Sequence, residues 1–328
     1  MEVSLKNDLF PKKLVEQAWS LISKAKNITL LTHFKPDPDG MSSCAAFDVF
    51  LKKIFKGENK KNIEIIYPTK PEFEYERIPK TFLINQFLQI PDLIISFDTS
   101  SYSRLYYPDE FKNITIINVD HHIGSEIKSD FNFVLPLSST CELLFYLLNA
   151  WEESSISVEV ANFLLFGLLA DTKIFRTNST TVDTLAVASK LMLLGADLYK
   201  LQLELSSIKT SQVIKFWGFL LQNINITNND KAVWVKVKIS DFKNFNVDST
   251  ALVGFVNFLS DFCKNDITAL FYENEMGKVQ VSLRSKFSDI NAVAKLFGGG
   301  GHRNASGILT DRKLDEIFDD VTSVLEQK

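Results

Sequence analysis

Each of the four histidines in the chain lies next to residues that could take part in chemistry. The segments concerned are HFKPDPD, DHH and GGGGHR, which contain respectively His33, His121 with His122, and His302. A single histidine more often has a structural role than a functional one. A chance distribution would not place every histidine beside acids or a glycine run, so the sequence indicates functional sites at these segments.

Acidic and imidazole side chains follow three apolar runs that are typical of buried strands. Each run and the residue after it are Asn27–Thr32 with His33, Leu93–Phe97 with Asp98, and Ile114–Val119 with Asp120. Ligands of open parallel sheets bind outside the carboxyl ends of the strands. We therefore expect these side chains at one sheet edge, where cations must neutralise the carboxylates. A fourth acid, Asp171, follows the apolar helical run Val158–Ala170 and could instead cap the next segment.

Six residues are candidate metal ligands: His33, Asp37, Asp39, Asp98, His121 and Asp171. Carboxylate and imidazole without thiolate suit Mn²⁺ or Mg²⁺ better than structural Zn²⁺. Six ligands are too many for one catalytic ion that keeps positions for water, and they fit two ions that share a carboxylate. Asp98 is the expected bridge because it stands alone after a middle strand. The segment Pro36–Gly40 also has the composition of a turn, and a turn that fixes two acids would make a good metal loop.

The glycine run Gly298–Gly301 has two interpretations. It could be a flexible loop or the cap of the helix predicted over Asp289–Phe297. It could also let the backbone approach a phosphate and donate N–H groups to it. His302 and Arg303 directly follow the run, and these residues favour the phosphate loop.

Two further cations, Arg284 and Lys286, end a predicted strand of the C-terminal region. A surface salt bridge is the structural alternative for each of them. Arg284 is the preferred phosphate clamp because a guanidinium group can engage phosphate at two points.

The composition is that of an ordinary soluble protein. Of the 328 residues, 45% are hydrophobic and 23% are charged, which excludes wholesale disorder. The net charge of −4 favours a short nucleotide ligand over long nucleic acid. No apolar segment has the length of a signal peptide or a membrane span, so we expect a cytoplasmic protein that does not bind membranes. The cysteines Cys44, Cys141 and Cys263 form no CxxC pair, and neither a disulfide framework nor a thiolate zinc site is predicted.

The order of apolar runs predicts an α/β fold with two domains. Residues 1–195 alternate strand and helix patterns, which predicts a parallel sheet with helices on both faces. Its predicted strands are Asn27–Thr32, Ile63–Tyr67, Leu93–Phe97 and Ile114–Val119, and its helices are Pro11–Ala25, Ser42–Phe55, Ser139–Ala150, Val158–Leu169 and Thr181–Leu194. A helical linker is predicted over 196–210, and a smaller mixed α/β domain over 211–328. The elements predicted there are the strands Ala232–Ile239, Ile267–Glu273 and Lys278–Arg284 and the helices Thr250–Phe262 and Asp289–Phe297.

The motifs resemble those of the DHH phosphoesterase superfamily in order and spacing. The resembling segments are His33–Asp39, Asp98, Asp120–His122 and 170–172 (ADT). The segment 298–307 (GGGGHRNASG), preceded by 282–286 (SLRSK), resembles the DHHA1 domain that follows in this family. The resemblance covers nearly the whole chain. The chain length is similar to that of the NrnA-like type, which degrades very short RNA and 3′-phosphoadenosine 5′-phosphate (pAp).

The resemblance implies hydrolysis of phosphate esters at two Mn²⁺ ions, with Mg²⁺ or Co²⁺ as alternatives. It assigns one ion to His33, Asp37 and Asp98, and the other to Asp39, Asp98, His121 and Asp171. Asp120 would orient an imidazole, and His122 would lie beside the scissile phosphate. The implied substrate contacts are Arg284, Lys286, Gly299, Gly300, Gly301, His302 and Arg303.

The chain departs from the family pattern at three places, none of which is a predicted ligand. Ser42 stands where the family usually has glycine, in the run Gly40-Met41-Ser42-Ser43. Lys173 follows Thr172 where glycine is frequent, and the usual Phe-Gly after His122 is missing. These departures bear on substrate preference rather than on metal binding.

The predicted function is metal-dependent hydrolysis of very short oligonucleotides and pAp. One alternative is a phosphodiesterase for linear or cyclic dinucleotides, such as pApA or cyclic di-AMP. A family II inorganic pyrophosphatase shares the DHH triplet, but the glycine-rich segment argues against it. A non-catalytic nucleotide-binding module would not need six ligands. The sequence does not rank pAp against dinucleotides, and it leaves open whether the chain forms a homodimer.

Overall fold

A computed structural model describes residues 9–71, 75–129, 131–206, 210–274 and 276–327. The chain divides after Ser206 into two compact units, here called the first and the second unit. The linker predicted over 196–210 includes residues 207–209, which lie outside the described residues. Among the described residues, no helix is both long enough and apolar enough to cross a bilayer.

The first unit contains a parallel sheet of six described strands. They are β1 (Asn27–Leu31), β2 (Asn62–Tyr67), β3 (Leu83–Ile84), β4 (Leu93–Phe97), β5 (Ile116–Asp120) and β6 (Phe131–Val134). Their order across the sheet is β3-β2-β1-β4-β5-β6, and every pair is parallel. The predicted parallel α/β fold is therefore confirmed. The two strands that were not predicted, β3 and β6, are the edge strands, and both are shorter than β4.

Helical segments cover both faces of this sheet, but in different ways. The α-helices are α1 (Lys12–Lys24), α2 (Pro38–Ile54), α3 (Thr140–Glu152), α4 (Val158–Asp171), α5 (Val182–Leu193) and α6 (Leu198–Leu205). All six contribute to one apolar core with the strand residues Leu30, Ile95 and Val119. The opposite face forms a smaller core, which is covered by loops and two 3₁₀ helices, Tyr102–Arg104 and Asp109–Phe111.

The strand β4 shows why the centre of this sheet can position charged groups. All five residues of β4 are buried, because apolar cores lie on both sides of it. A strand with this environment is mostly apolar, as in its sequence LIISF, and its one polar side chain, Ser96, donates a hydrogen bond to Oδ1 of Asn118 at 2.8 Å. The first acid that follows it, Asp98, is held by the rigid end of a central strand.

The second unit contains a mixed sheet with the order β11-β12-β10-β9-β8-β7. Its strands are β7 (Asn225–Ile226), β8 (Ala232–Val237), β9 (Ile267–Glu273), β10 (Val279–Ser285), β11 (Gly300–His302) and β12 (Ala305–Thr310), and its helices are α7 (Ser211–Gln222), α8 (Ile239–Phe245), α9 (Phe255–Phe262), α10 (Ile290–Leu296) and α11 (Leu314–Gln327). Among the described strands of this second sheet, only β8 and β9 pair in parallel. One apolar core includes α10 and α11, and another includes α7, α8 and α9. The mixed α/β prediction is confirmed, although β7, β11, β12, α8 and α11 were missed.

Candidate metal centre

The six predicted ligands come together at the carboxyl ends of β1, β4 and β5. Three groups of side chains have potential ligand atoms within 4.8 Å of one another: His33 with Asp37 and Asp98, Asp39 with His121 and Asp171, and Asp98 with His121 and His122. Each predicted ligand belongs to at least one of these groups. The fold therefore brings together residues that are as far apart as 138 positions in the chain, 33 to 171.

Asp98 lies at the centre of the cluster. Its Oδ2 atom is 3.4 Å from Nε2 of His33, and its Oδ1 atom is 3.4 Å from Nε2 of His121. The side chain is buried, and its backbone N–H donates to the carbonyl oxygen of Val119 at 3.0 Å. Asp98 has a φ of +57°, a left-handed conformation that few residues other than glycine, asparagine and aspartate adopt. Its two oxygens therefore face two different imidazoles from a fixed backbone.

The segment predicted to be a metal turn is the beginning of a helix. Helix α2 begins at Pro38, four residues before the predicted Ser42. Asp37 is its N-cap, and Oδ1 accepts hydrogen bonds from the N–H groups of Asp39 and Gly40 at 3.0 and 3.1 Å. The other oxygen, Oδ2, is 3.4 Å from Nε2 of His33. Proline suits the first position of a helix and aspartate suits the cap, so the same Pro-Asp residues that indicate a turn also begin a helix.

Asp39 is fully buried against the N-terminus of α3. Its Oδ2 and Oδ1 atoms accept hydrogen bonds from the backbone N–H groups of Thr140 and Cys141 at 2.6 and 3.0 Å. The hydroxyl group of Thr140 also donates to Oδ1 of Asp98 at 3.0 Å. A helix N-terminus stabilises a carboxylate through its unpaired N–H groups and its dipole. A helix was predicted here, but its contact with Asp39 was not, because the residue types that begin a helix do not indicate which acid the helix end will contact.

Two glycines let helices approach Asp39 closely. A Cβ atom on Gly167 of α4 would lie 2.7 Å from Oδ1 of Asp39 and 2.4 Å from Sγ of Cys141. A Cβ atom on Gly40 would lie 2.1 Å from Oγ1 of Thr32, at the end of β1. Larger residues at these positions would displace either the acid or the elements that carry it. Neither glycine was predicted to matter for the site.

Asp171 is the last residue of α4 and not the cap of the following segment. Its Oδ2 atom lies 3.2 Å from Nε2 of His121. The chain then passes through a left-handed turn at 173–175, with φ values of 47°, 60° and 61°. Thr172 fixes this turn, since its Oγ1 accepts from the N–H of Phe175 at 3.1 Å. The left-handed backbone of Lys173 explains why glycine would suit this position, at which the chain departs from the family pattern.

Asp120 holds the imidazole of His122. Its Oδ1 atom accepts from the backbone N–H of His122 at 3.1 Å and lies 2.8 Å from Nδ1 of the same residue. Asp120 is fully buried, whereas about half of the His122 side chain is exposed. The buried Oδ2 atom of Asp120 has no hydrogen-bond partner among the described residues. This arrangement is the one expected for an acid that orients an imidazole.

Burial and mutual repulsion strongly perturb the protonation of the cluster. Burial raises the pKa of Asp171 to about 9, with repulsion from Asp39, Asp98 and Asp37 adding to the effect. The same causes raise the pKa of Asp39. Burial alone would lower the pKa of His33, but its hydrogen bonds and attraction to Asp37 and Asp98 outweigh it and raise that pKa to about 10. The hydrogen bond to Asp120 raises the pKa of His122.

The donor set fits divalent cations. Among the described residues, none of the aspartates in the three groups forms an ion pair with lysine or arginine. Protons are therefore the positive charges that the cluster itself can hold, and divalent cations can replace them. Oxygen and imidazole ligands without thiolate suit Mn²⁺ or Mg²⁺. Two of the groups share Asp98, and the third, which consists of Asp39, His121 and Asp171, is connected to Asp98 through His121.

The predicted cations of the second unit are bonded to neutral oxygens. Arg284 lies on β10, where Nε donates to Oδ1 of Asn257 at 2.8 Å and Nη1 donates to the carbonyl of Leu283 at 2.9 Å. The ammonium group of Lys286 donates to the carbonyl oxygen of Cys263. Arg303 donates from Nη2 to the carbonyl oxygen of Phe287 at 3.4 Å. Among the described residues, Arg284 and Lys286 therefore do not form the surface salt bridges that are their structural alternative, and Arg303 forms none either.

The glycine run has roles in the fold itself. Gly298 has a φ of +74° and caps α10, with the N–H of Gly299 donating to the carbonyl of Ala294 at 2.9 Å. The strand β11 follows at Gly300–His302 and pairs with β12, so the run is not a free loop. Gly299 and Gly301 have no room for a Cβ atom beside β12, whereas Gly300 faces open space. A phosphate-binding role for Gly299, Gly300, Gly301 and His302 stays a prediction.

Comparisons with known proteins agree with this arrangement. The DHH family N-terminal domain matches residues 27–168, and the DHHA1 domain matches residues 229–327. A Mycoplasma pneumoniae protein, described as an uncharacterized homologue of MG371, is 29% identical over 90% of this chain and 91% of its own length. The bifunctional oligoribonuclease and PAP phosphatase NrnA of Bacillus subtilis is 26% identical over 93% of this chain and 97% of its own length.

A solved structure has the same fold over the whole length. The crystal structure of an exopolyphosphatase-related protein from Bacteroides fragilis superposes with a TM-score of 0.83 and 23% sequence identity, and covers 98% of both chains. At this identity the likeness shows the fold. The two matched domains, in this order and with the clustered aspartates and histidines, show that the chain belongs to the DHH/DHHA1 phosphoesterase family.

Proposed function

We propose that this phosphoesterase hydrolyses very short oligonucleotides and pAp at a centre of two Mn²⁺ ions. The observation that carries the proposal is the position of Asp98, whose two oxygens each lie 3.4 Å from a different imidazole. One ion would be held by His33, Asp37 and Asp98, and the other by Asp39, Asp98, His121 and Asp171. Two such ions supply a more acidic water and offset charge on the phosphoryl oxygens.

His122 is the residue we assign to the reacting phosphate. Its Nδ1 atom faces Asp120, so that Nε2 of the half-exposed ring is left for the substrate. The hydrogen bond to Asp120 is the first cause of the raised pKa of His122, and this raised pKa favours the protonated imidazole. A protonated ring can donate a hydrogen bond to a phosphoryl oxygen or a proton to the leaving oxygen. Asp120 acts through His122 and is a positioning residue.

The cations of the second unit are the proposed contacts for a further phosphate of the substrate. Among the described residues, Arg284 and Lys286 bond to neutral oxygens and form no ion pair with a carboxylate. A phosphate group would supply the negative charge, and a guanidinium can bind it at two points. The net charge of −4 fits a ligand held at its phosphate ends rather than along a backbone.

A panel of substrates tests the proposal. The full-length protein is freed of metal by exhaustive chelation, and turnover is then measured with and without Mn²⁺. The substrates are pAp, a di- and a trinucleotide RNA, pApA, cyclic di-AMP and pyrophosphate. We expect no turnover without a divalent cation, the highest rates with Mn²⁺, and hydrolysis of pAp and the short RNAs.

Other results of the same panel would contradict the proposal in distinct ways. Turnover of cyclic di-AMP or pApA with no activity on pAp would indicate a dinucleotide phosphodiesterase. Full turnover after chelation would exclude the two-metal centre. Binding of nucleotides with no turnover at all, together with a melting temperature that Mn²⁺ does not change, would indicate a non-catalytic module.

A further inference from the structure

The guanidinium group of Arg104 lies beside His33, one of the proposed metal ligands. Arg104 was not among the functional residues predicted from the sequence. It ends the 3₁₀ helix Tyr102–Arg104, in the loop that leads away from Asp98. Its Nη2 atom lies 3.0 Å from Nδ1 of His33. Its carbonyl oxygen accepts a hydrogen bond from the N–H of Phe34 at 2.6 Å. The backbone of Arg104 is thus fastened to the segment that carries His33.

The loop around Arg104 is anchored at several points. Leu105 is buried in the core on the second face of the sheet, and Tyr102 donates from its hydroxyl group to the carbonyl of Lys128 at 3.1 Å. Ser101 caps the 3₁₀ helix by accepting from the N–H of Ser103. Arg104 as a whole is exposed, and the contact of its guanidinium with His33 is partly buried. A fixed backbone in an exposed residue is typical of one that binds a ligand without rearrangement.

The contact between Arg104 and His33 is not a hydrogen bond when His33 holds a cation through Nε2. Nδ1 of His33 lies 2.8 Å from the carbonyl oxygen of Phe34 and also within reach of Arg104. A histidine that ligates through Nε2 must carry its proton on Nδ1. That proton can be donated to Phe34, but Nδ1 can then accept nothing from the guanidinium, which has only donors.

Arg104 is therefore left without an acceptor in the form of the protein that the proposed function requires. Among the described residues it forms no ion pair with a carboxylate, and its side chain contacts Nδ1 of His33, which can accept a hydrogen bond only in the tautomer that carries no proton there. A guanidinium beside divalent cations is repelled by them unless an anion lies between. We propose that Arg104 binds a non-bridging oxygen of the phosphate that is held at the metal centre. This inference rests on the proposed function and adds a substrate contact in the first unit.

The test separates phosphate binding from metal binding. Binding of Mn²⁺ is measured first, by titration of the metal-free, full-length protein. Binding of methylphosphonate, a dianion without a scissile ester bond, is then measured by calorimetry on the Mn²⁺-loaded protein. The variants are Arg104→Ala, Arg104→Gln and Arg104→Lys. Arg312→Ala is the matched control, since Arg312 is an arginine of the second unit that pairs with Asp320.

We expect Arg104→Ala and Arg104→Gln to bind Mn²⁺ at least as tightly as the natural protein, since a nearby positive charge has been removed. Their affinity for methylphosphonate should fall on the order of tenfold to a hundredfold, the effect of losing a charge-assisted hydrogen bond. Lysine should restore part of it. The Arg312→Ala control should bind both probes normally.

Three results would overturn the inference. Unchanged methylphosphonate affinity in all three variants would show that Arg104 does not contact the phosphate. Loss of Mn²⁺ in Arg104→Gln, with a normal melting temperature, would show that Arg104 positions His33. Failure of the natural protein to bind Mn²⁺ would overturn the proposed function, and this inference with it.

Discussion

The charged groups of the two units are partnered in opposite ways. In the first unit, buried aspartates face one another and two imidazoles, with no lysine or arginine paired to them among the described residues. In the second unit, Arg284 and Lys286 bond to neutral carbonyl and amide oxygens. Among the described residues, the aspartates of the first region have no lysine or arginine partner, and Arg284 and Lys286, the second region, have no carboxylate partner. The proposed function assigns different tasks to these regions: the first would hold cations, and the second would bind an anionic part of the substrate.

The largest effect is expected from removing the acid at the centre of the first region. Asp98→Ala should lower turnover of pAp by at least about a thousandfold, because both proposed ions lose a ligand. The rate is measured at saturating Mn²⁺, and circular dichroism checks the fold. Asp109→Ala is the control, since Asp109 is an exposed acid that pairs with Lys112. An Asp98→Ala enzyme within tenfold of the natural rate would remove Asp98 from the mechanism.

A smaller and substrate-dependent effect is expected in the second region. Arg284→Ala should lower turnover of pAp or a dinucleotide on the order of tenfold to a hundredfold, through loss of a charge-assisted contact. Turnover of bis(p-nitrophenyl) phosphate should hardly change, because this ester has a single phosphate and no second group for Arg284. Lysine should rescue only part of the loss.

The informative quantity for Arg284→Ala is a ratio: its loss of turnover on pAp or a dinucleotide, divided by its loss on bis(p-nitrophenyl) phosphate. A large ratio supports a contact with a second phosphate, and bound Mn²⁺ should be unchanged. A ratio near one would mean that Arg284 has a structural role. The second region would then not bind a substrate phosphate, and the proposed difference between the two regions would not hold. Arg104→Ala, in contrast, should slow both substrates, since the proposed contact is to the phosphate at the metals.

A still smaller effect is expected from the hydroxyl group that supports Asp98. Thr140→Val removes the donor to Oδ1 of Asp98 but keeps the backbone N–H that binds Asp39. We expect the affinity for Mn²⁺ to fall about tenfold, as is usual for groups that orient metal ligands. Thr140→Ser keeps the hydroxyl group and should bind Mn²⁺ normally. Equal Mn²⁺ affinities in the valine and serine variants would show that this hydrogen bond does not matter to the site.

The stability of the metal-free protein should fall as the pH rises. The raised pKa values of Asp171 and His33, about 9 and about 10, mean that the folded chain keeps protons which the unfolded chain releases. The free energy of unfolding therefore decreases from the ordinary aspartate pKa up to about pH 9 for Asp171, and between the ordinary histidine pKa and about pH 10 for His33.

Bound Mn²⁺ should reverse this trend, because cations replace those protons. The rise in melting temperature caused by Mn²⁺ should be larger at about pH 8 than at about pH 6, by roughly 5 °C. Thermal unfolding with and without Mn²⁺ measures it. A rise that is the same at both pH values would show that ion binding does not displace protons from the cluster.

The first region could be predicted from the sequence to a greater extent than the second. Acids directly after fully buried strands such as β4 are predictable, because such strands are mostly apolar on both faces and their ends share one edge. The contact between Thr140 and Asp39 could not be predicted, since it joins residues 101 positions apart whose local signals concern only helix ends. Arg104 was missed because a lone arginine in a loop has no distinctive spacing.

The glycine run Gly298–Gly301 is easily recognised in the sequence, but its role is not. Glycine indicates a special backbone conformation or a close approach, but not to what. In the structure, Gly298 caps a helix and Gly301 packs against β12, so both have sufficient structural reasons without a ligand. The start of α2 was also predicted four residues too late, because Pro38 and Asp39 suit a turn and a helix start equally well.

The count of bound ions in two aspartate variants tests the central claim most directly. Elemental analysis is carried out on the natural protein, Asp37→Ala and Asp98→Ala after loading with Mn²⁺ and removal of the excess. We predict about two ions per chain in the natural protein, about one in Asp37→Ala, and fewer in Asp98→Ala than in Asp37→Ala, because a bridging carboxylate serves both ions. Two ions in folded Asp98→Ala would contradict the account, since Asp98 would not then be the bridge.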